Sequence, residues 1–148
     1  MNIDTSQGVA VESLSTNNLN ATWGDVIRLN GYGLHVSPAA LELKVRWQAL
    51  HSMPTSYKVF VHVVDPATNS VVAQDDSIPQ HWTHPTNTWQ PDEVVVDSIS
   101  VPLSKVAPGK YQIFIGLYDP ETGERLTASS ADGQRHPNDS VFITEFQH

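Results

Sequence analysis

The chain contains one segment of itself twice, 54 positions apart. Val59 matches Ile113 and Val61 matches Ile115, and five identical residues recur in the same order: Tyr57, Phe60, Asp65, Pro66 and Thr68 return as Tyr111, Phe114, Asp119, Pro120 and Thr122. Each copy has the pattern of an alternating strand, an Asp-Pro turn and a return strand. Two such hairpins predict a pseudo-symmetric β protein without a separate catalytic insert.

Alternation of apolar and polar residues predicts strands along most of the chain. It is complete over residues 41–49, where Leu41, Val45 and Trp47 share one face and Glu42 and Arg46 share the other. This pattern is typical of a strand with one face in the core and one in water. The repeated strand at residues 57–64 differs, because Phe60, His62 and Val64 fall on the face opposite Val59, so we expect it to be covered on both sides over part of its length.

The strand and turn signals together predict an all-β fold. No stretch of ten or more residues keeps helical spacing of apolar residues, and ten prolines and eight glycines interrupt the chain. The predicted strands are residues 8–14, 26–32, 41–49, 57–64, 71–77, 94–103, 111–118, 125–128 and 140–146. We interpret this as one antiparallel β-sandwich of eight or nine strands, Ig-like or jelly-roll-like, over residues 1–148, with residues 1–20 as a candidate for a loosely attached N-terminal segment.

Composition excludes several classes of function. The formal net charge is −8, from 16 acidic and 8 basic residues, which argues against nucleic acid as a partner and against adsorption to anionic lipid. The chain has no cysteine, which removes thiol catalysis and cysteine-ligated zinc. No apolar run approaches the roughly 18 residues of a membrane span, so direct membrane insertion of this segment is not expected.

A pattern of landmarks from about residue 26 to the end resembles a known kind of domain. The landmarks are Leu29-Asn30-Gly31-Tyr32, Trp47-Gln48-Ala49, Tyr57-Lys58-Val59-Phe60-Val61-His62, Asp76 with Pro79, Pro85-Thr86, Trp89-Gln90-Pro91, Asp97, Pro108-Gly109-Lys110-Tyr111, Gly116-Leu117-Tyr118-Asp119 and Thr122-Gly123-Glu124-Arg125-Leu126. Together they resemble the extracytoplasmic C-terminal β-sandwich domain of bacterial multispanning proteins similar to dolichyl-phosphate-mannose mannosyltransferases. The resemblance implies an extracytoplasmic location, a membrane-embedded parent domain as partner, and no catalytic residues in this segment.

His62 is the most informative single residue. It lies mid-strand beside Phe60 and Val64, where a polar ring must find a hydrogen-bond partner or lose roughly 1–3 kcal/mol. Asp75, Asp76 and Asp97 are candidate partners. If the two repeat strands are neighbours, Gly116 in the second copy is expected to leave space beside the imidazole. A structural histidine, a ligand pocket and a metal ligand all remain open as interpretations.

The irregular segment at residues 79–90 is the second candidate site, because surface loops on a rigid scaffold often carry function. Trp82 and Trp89 flank it and form a candidate aromatic platform for sugar rings, whose C–H faces pack on indole. The alternative is that Trp89 plugs one end of the sandwich. A histidine zinc site normally needs a third and a fourth ligand beside His81 and His84. Asp75, Asp76 and His51 could contribute only if the fold brings them close, so no metal is assigned.

The sequence therefore predicts binding rather than catalysis. It contains no nucleophile elbow, phosphate loop or dinucleotide fingerprint, and we assign no catalytic residue and no cofactor. The predicted function is a non-catalytic extracytoplasmic accessory domain that binds glycan or a protein partner, with a structural spacer or a metal-dependent hydrolase-type site around His62 as alternatives. The candidate ligand-binding residues are His62, Asp76, His81, Trp82, His84, Trp89 and Asp97.

Overall fold

The computed structural model describes residues 18–148, which fold as an antiparallel β-sandwich and confirm the predicted fold class. Nine strands lie in this range: β1 (Asn18–Trp23), β2 (Ile27–Val36), β3 (Ala40–Ala49), β4 (Lys58–Asp65), β5 (Ser70–Ser77), β6 (Val94–Pro102), β7 (Lys110–Tyr118), β8 (Ala128–Ser130) and β9 (Val141–Gln147). Of the predicted strands, the one at residues 8–14 falls outside the described residues.

The strands form two sheets that enclose one core. A five-stranded sheet has the order β6-β3-β2-β1-β8, and a four-stranded sheet has the order β5-β4-β7-β9. The alternation predicted for β3 is confirmed, because Leu41, Val45 and Trp47 are fully buried between the sheets. Trp47 packs edge-on against Trp23 with ring centroids 5.5 Å apart, so two large aromatic side chains pack together on the inner face near the end of the sheet where β1 ends and β2 begins.

The two copies of the sequence repeat are neighbours in the four-stranded sheet. Strands β4 and β7 pair antiparallel with Val61 directly opposite Ile115, and these residues are themselves equivalent in the repeat. A two-fold axis through this pair maps Val59 onto Ile113, which is the match that the sequence gives. The two copies, 54 positions apart in the sequence, are therefore related in the structure by a local pseudo-two-fold axis between adjacent strands.

The two Asp-Pro turns have the same hydrogen bonds, as predicted. The side chains of Asp65 and Asp119 each accept a hydrogen bond from the amide two residues on, at 2.9 Å. Their carbonyl oxygens each accept one from the amide of Asn69 or Gly123, at 2.7 Å. Asn69 and Gly123 have φ values of 59° and 78°, a left-handed conformation that asparagine and glycine tolerate best.

The second predicted return strand, at residues 125–128, is wrong in its extent and in its partner. Only Arg125 and Leu126 bond to β7, through the bridge to Tyr118 and the amide of Leu126 at 2.9 Å from the Leu117 oxygen. The chain then crosses to the other sheet, where β8 pairs with β1. The reason is that β9 occupies the rest of that edge of β7, leaving no length for a full return strand.

The irregular segment between β5 and β6 contains one helical turn, α1 (Pro79–Trp82), and a 3-10 turn, Thr86–Thr88; a second 3-10 turn is Pro137–Asp139. In α1, Gln80, His81 and Trp82 have φ values of 55°, 54° and 70°. No helix in residues 18–148 is long and apolar enough to cross a membrane.

Candidate functional site

The structure separates the seven candidate residues into two groups. His62 and Asp76 lie on the outer face of the four-stranded sheet, and Trp82 reaches the same face. The other four surround the irregular segment, where Trp89 and Asp97 are buried. The two candidate sites of the sequence analysis thus lie apart except at Trp82, which belongs to the irregular segment but contacts Lys58 on the face of His62.

The outer face of the four-stranded sheet carries what we call the outer patch. Because Val59, Val61 and Val63 point into the core, the alternate residues of β4 point outward. Strand β5 contributes Asp76, which lies opposite Phe60, to the same face. Strand β7 contributes Tyr118, which lies opposite Lys58. The outer patch consists of Lys58, Phe60, His62, Asp76, Trp82, Tyr118 and Arg125.

Ring contacts form two groups in the outer patch, which adjoin where Lys58 lies opposite Tyr118. The Phe60 ring centroid lies 4.7 Å from that of His62 and 6.3 Å from that of Tyr118. The Arg125 guanidinium stands 4.3 Å above the Phe60 ring. At the other end, the Lys58 ammonium stands 4.7 Å from the Trp82 ring centroid, and Trp82 is 57% exposed. The patch therefore combines an open indole surface with polar groups on one rigid sheet.

Asp76 and Tyr118 form the polar centre of the outer patch. The Asp76 carboxylate accepts a hydrogen bond from the Gln74 amide at 3.0 Å. Burial, and then the adjacent Asp76 carboxylate as hydrogen-bond acceptor, raise the pKa of Tyr118 to about 12. Tyr118 is therefore a neutral hydroxyl at physiological pH, and it can donate as well as accept a hydrogen bond.

His62 is half-buried and neutral rather than a charged group. Burial, followed by the Arg125 charge, holds the pKa of the imidazole below its ordinary value, and Asp76 opposes the shift. Of the three predicted carboxylate partners, Asp76 is the one beside it. The expected space next to His62 is absent, because Gly116 lies opposite Phe60, whose ring fills the position of a glycine Cβ.

Trp89 and His84 are structural, which confirms the alternative reading of Trp89 as a core plug. Trp89 is 1% exposed, and its indole N–H donates to the His84 carbonyl oxygen at 3.0 Å. The His84 imidazole lies 2.8 Å from a Glu93 carboxylate oxygen, and the other oxygen of Glu93 accepts from the Gln90 amide. These contacts close the irregular segment over the end of the sandwich.

Asp97 holds the backbone that presents Trp82. It is buried on β6, and one carboxylate oxygen accepts a hydrogen bond from the Gln80 amide at 2.7 Å. The Gln80 side chain in turn donates to the Val96 oxygen at 3.0 Å. Left-handed backbone costs about 1–2 kcal/mol per non-glycine residue, so the turn requires such anchoring. His81 is exposed in the same turn and lies close enough to Asp97 to affect its charge.

The charge state of Asp97 gives a testable pH dependence. Burial raises the pKa of Asp97 above its ordinary value of 3.8, so the folded protein holds this proton more tightly than the unfolded chain. The stabilisation from the protonated form is fully present below pH 3.8 and is lost as the pH rises through the folded pKa. We expect Asp97→Asn, which keeps the acceptor oxygen, to gain stability relative to wild type as the pH rises.

Thermal unfolding across a series from about pH 3 to about pH 8 measures this difference. Asp97→Ala is the companion variant, and we expect it to lose about 1–3 kcal/mol because the Gln80 amide loses its acceptor. A constant difference between Asp97→Asn and wild type over the whole series would contradict the assignment.

Two further observations concern metal binding and the outer face of the five-stranded sheet. Within residues 18–148, no group of three or more histidine and acidic side chains is placed to hold a metal ion. A polar groove of about 820 Å³ lies on the outer face of the five-stranded sheet. One of its lining residues, Arg28, is fixed by hydrogen bonds to Asn30 at 3.0 Å and to Gln48 at 2.8 Å.

Sequence reasoning did not single out four residues of the outer patch: Lys58, Phe60, Tyr118 and Arg125. The alternation in β4 places Lys58 on the face of His62, and that signal was available. Tyr118 lies opposite Lys58 because of the register between β4 and β7, and no local sequence pattern predicts that register. Arg125 lies on the same face because it pairs with Tyr118 through a single antiparallel bridge.

Comparisons with known proteins give no family. No protein-family model matches the chain, and no curated protein matches it. Among solved structures, it is similar to catalytically inactive OgpA from Akkermansia muciniphila in complex with an O-glycopeptide substrate, glycodrosocin, at 9% identity and a TM-score of 0.39. The match covers 90% of this chain and 32% of OgpA, so the chain spans about a third of that protein. A likeness at this level carries no argument about function.

Proposed function

We propose that this chain is a non-catalytic, extracytoplasmic accessory domain that binds glycan through the outer patch. The observation that carries the proposal is the exposed Trp82 ring, continuous through Lys58 with the hydroxyl of Tyr118 and the carboxylate of Asp76. Sugar rings offer C–H faces that pack on indole and hydroxyls that pair with carboxylate, phenol and imidazole groups.

The rigidity of Trp82 supports a binding role. The backbone of its turn is anchored by the hydrogen bond from the Gln80 amide to Asp97, and its ring contacts the Lys58 ammonium, so part of the ordering that stacking requires is already present in the folded protein. A ligand binds more tightly to groups that folding already holds in their bound geometry, because binding then loses less conformational entropy. An exposed indole on a strained turn is costly to maintain for stability alone, which favours a functional reason for it.

The chemistry of the outer patch favours binding over hydrolysis. Glycosidases of the common mechanisms use two carboxyl groups at a defined separation. The outer patch has one, Asp76, and its oxygens already accept from Gln74 and interact with Tyr118. The extracytoplasmic location and the membrane-embedded parent protein rest on the resemblance in landmarks such as Trp89-Gln90-Pro91 and Gly116-Leu117-Tyr118-Asp119.

Replacing the exposed indole tests the proposal. We expect Trp82→Ala to weaken glycan binding at least about tenfold, equivalent to about 1.4 kcal/mol, because the stacking surface is lost. The measurement is a glycan array with the wild-type domain, followed by calorimetric titration of each glycan that binds.

Phe142→Ala is the matched control. Phe142 is another exposed ring on the same sheet, 45% exposed on β9, and it contacts Phe114 rather than the outer patch. Equal loss of affinity in both variants would contradict the assignment of the site. If the wild-type domain binds no glycan on the array, the proposed function is wrong and the structural-spacer alternative is favoured.

A further inference from the structure

The two cations of the outer patch, Lys58 and Arg125, form no direct ion pair with a carboxylate of the described residues. Among residues 18–148 the ion pairs are His84 with Glu93 and Arg135 with Asp139. Lys58 and Arg125 therefore have no described carboxylate oxygen within 4.0 Å of their nitrogens, and each stands over an aromatic ring instead. A ring face holds a cation in place without cancelling its charge.

The position of these two cations is notable in an acidic chain. The whole protein has a formal net charge of −8. The outer patch sets Lys58 and Arg125 against one carboxylate of its own, Asp76, while Asp139, which is paired with Arg135, also interacts electrostatically with Arg125. The Asp76 carboxylate is engaged by Gln74 and by Tyr118. Burial is the main cause that lowers the pKa of His62; the Arg125 charge lowers it further and Asp76 opposes the shift.

We infer that the ligand of the outer patch is an acidic glycan, one whose sugar units carry carboxylate groups. This inference rests on the proposed function and names its ligand class. Trp82 and Tyr118 supply the surface for the sugar ring, and Lys58 and Arg125 supply the charge for its carboxylates.

Arg125 has the donors that this role requires. One guanidinium nitrogen donates to the Asn138 carbonyl oxygen at 2.9 Å, which fixes the planar group above Phe60. Arginine has five N–H donors in a fork that matches a carboxylate. The bond to Asn138 uses one of them, so the guanidinium retains donors for a ligand.

Pairs of glycans that differ only at the carboxyl group give a direct test. The probes are tetrasaccharides of galacturonic acid, of mannuronic acid and of hyaluronan, each beside its carboxyl-reduced, neutral counterpart. We expect the wild-type domain to bind at least one acidic probe about tenfold or more tightly than its neutral counterpart, and this preference to shrink between about 50 mM and about 500 mM salt.

Charge-removing variants locate the effect. Arg125→Gln and, independently, Lys58→Gln are expected to reduce the preference for the acidic probe, with folding checked by thermal unfolding. Lys105→Gln removes the same charge from an exposed position in the loop between β6 and β7 and is expected to leave the preference unchanged. Two separate patch variants keep the test valid if one of them fails to fold.

The outcomes separate this inference from the proposed function. If neutral probes bind as tightly as acidic ones, the acidic ligand class is wrong while glycan binding stands. Acidic preference that survives both patch variants places the charge recognition elsewhere and overturns the inference. If neither acidic nor neutral probes bind, and the array is also negative, the proposed function itself is overturned.

Discussion

Trp89→Ala is expected to destabilise the fold by about 3–5 kcal/mol, the range for removing a fully buried large aromatic side chain. Trp89 is 1% exposed and belongs to the core cluster between the sheets. The substitution leaves a cavity and also removes the indole N–H that bonds the His84 carbonyl oxygen. Urea unfolding followed by far-UV circular dichroism measures the loss.

Trp82→Ala is the matched comparison, because both tryptophans flank the same irregular segment. Its cost to stability is expected to be about 1 kcal/mol or less, since mainly the contact with Lys58 is lost. The two variants should therefore separate cleanly, with Trp89→Ala losing stability and Trp82→Ala losing ligand binding. Comparable destabilisation in both would contradict the division between core plug and binding platform.

The sequence predicted those parts of the fold that local pattern controls. The alternation of β3 gave its inward residues, and the Asp-Pro turns gave their hydrogen bonds, because each depends on residues within a few positions of one another. The repeat also indicated that β4 and β7 are related. Their exact register, with Val61 opposite Ile115, depends on packing of the whole sheet.

The candidate site was less predictable because burial and backbone shape are long-range properties. Trp82 and Trp89 look alike in sequence, and what separates them is the turn anchored by Asp97, a residue that belongs to the other sheet. The same applies to His62 and Gly116. Once register places Phe60 opposite Gly116, the expected pocket beside the imidazole is filled.

The pairing of Phe60 with Gly116 gives the second large expected effect. Gly116→Ala is expected to destabilise the protein by about 1–3 kcal/mol, because the new Cβ overlaps the Phe60 ring and the ring is buried beneath Arg125. Since the backbone at Gly116 does not have a positive φ, the cost is steric.

A double-mutant cycle with Phe60→Leu isolates that steric term. We expect Gly116→Ala and Phe60→Leu together to lose at least about 1 kcal/mol less than the sum of the single losses, because the smaller side chain makes room for the methyl group. Gly123→Ala is the control, since Gly123 has a positive φ of 78° but open space around its Cβ position. It is expected to lose stability through backbone strain alone and to be additive with Phe60→Leu.

The same cycle connects packing to binding. A displaced Phe60 ring also moves the support of the Arg125 guanidinium, so Gly116→Ala is expected to reduce the preference for an acidic glycan although residue 116 itself presents no charge. Additive stability losses in the cycle would show that the Phe60 ring is not fixed by Gly116. In that case the hydrogen bond to the Asn138 carbonyl oxygen, rather than the Phe60 ring, would hold the Arg125 guanidinium in place.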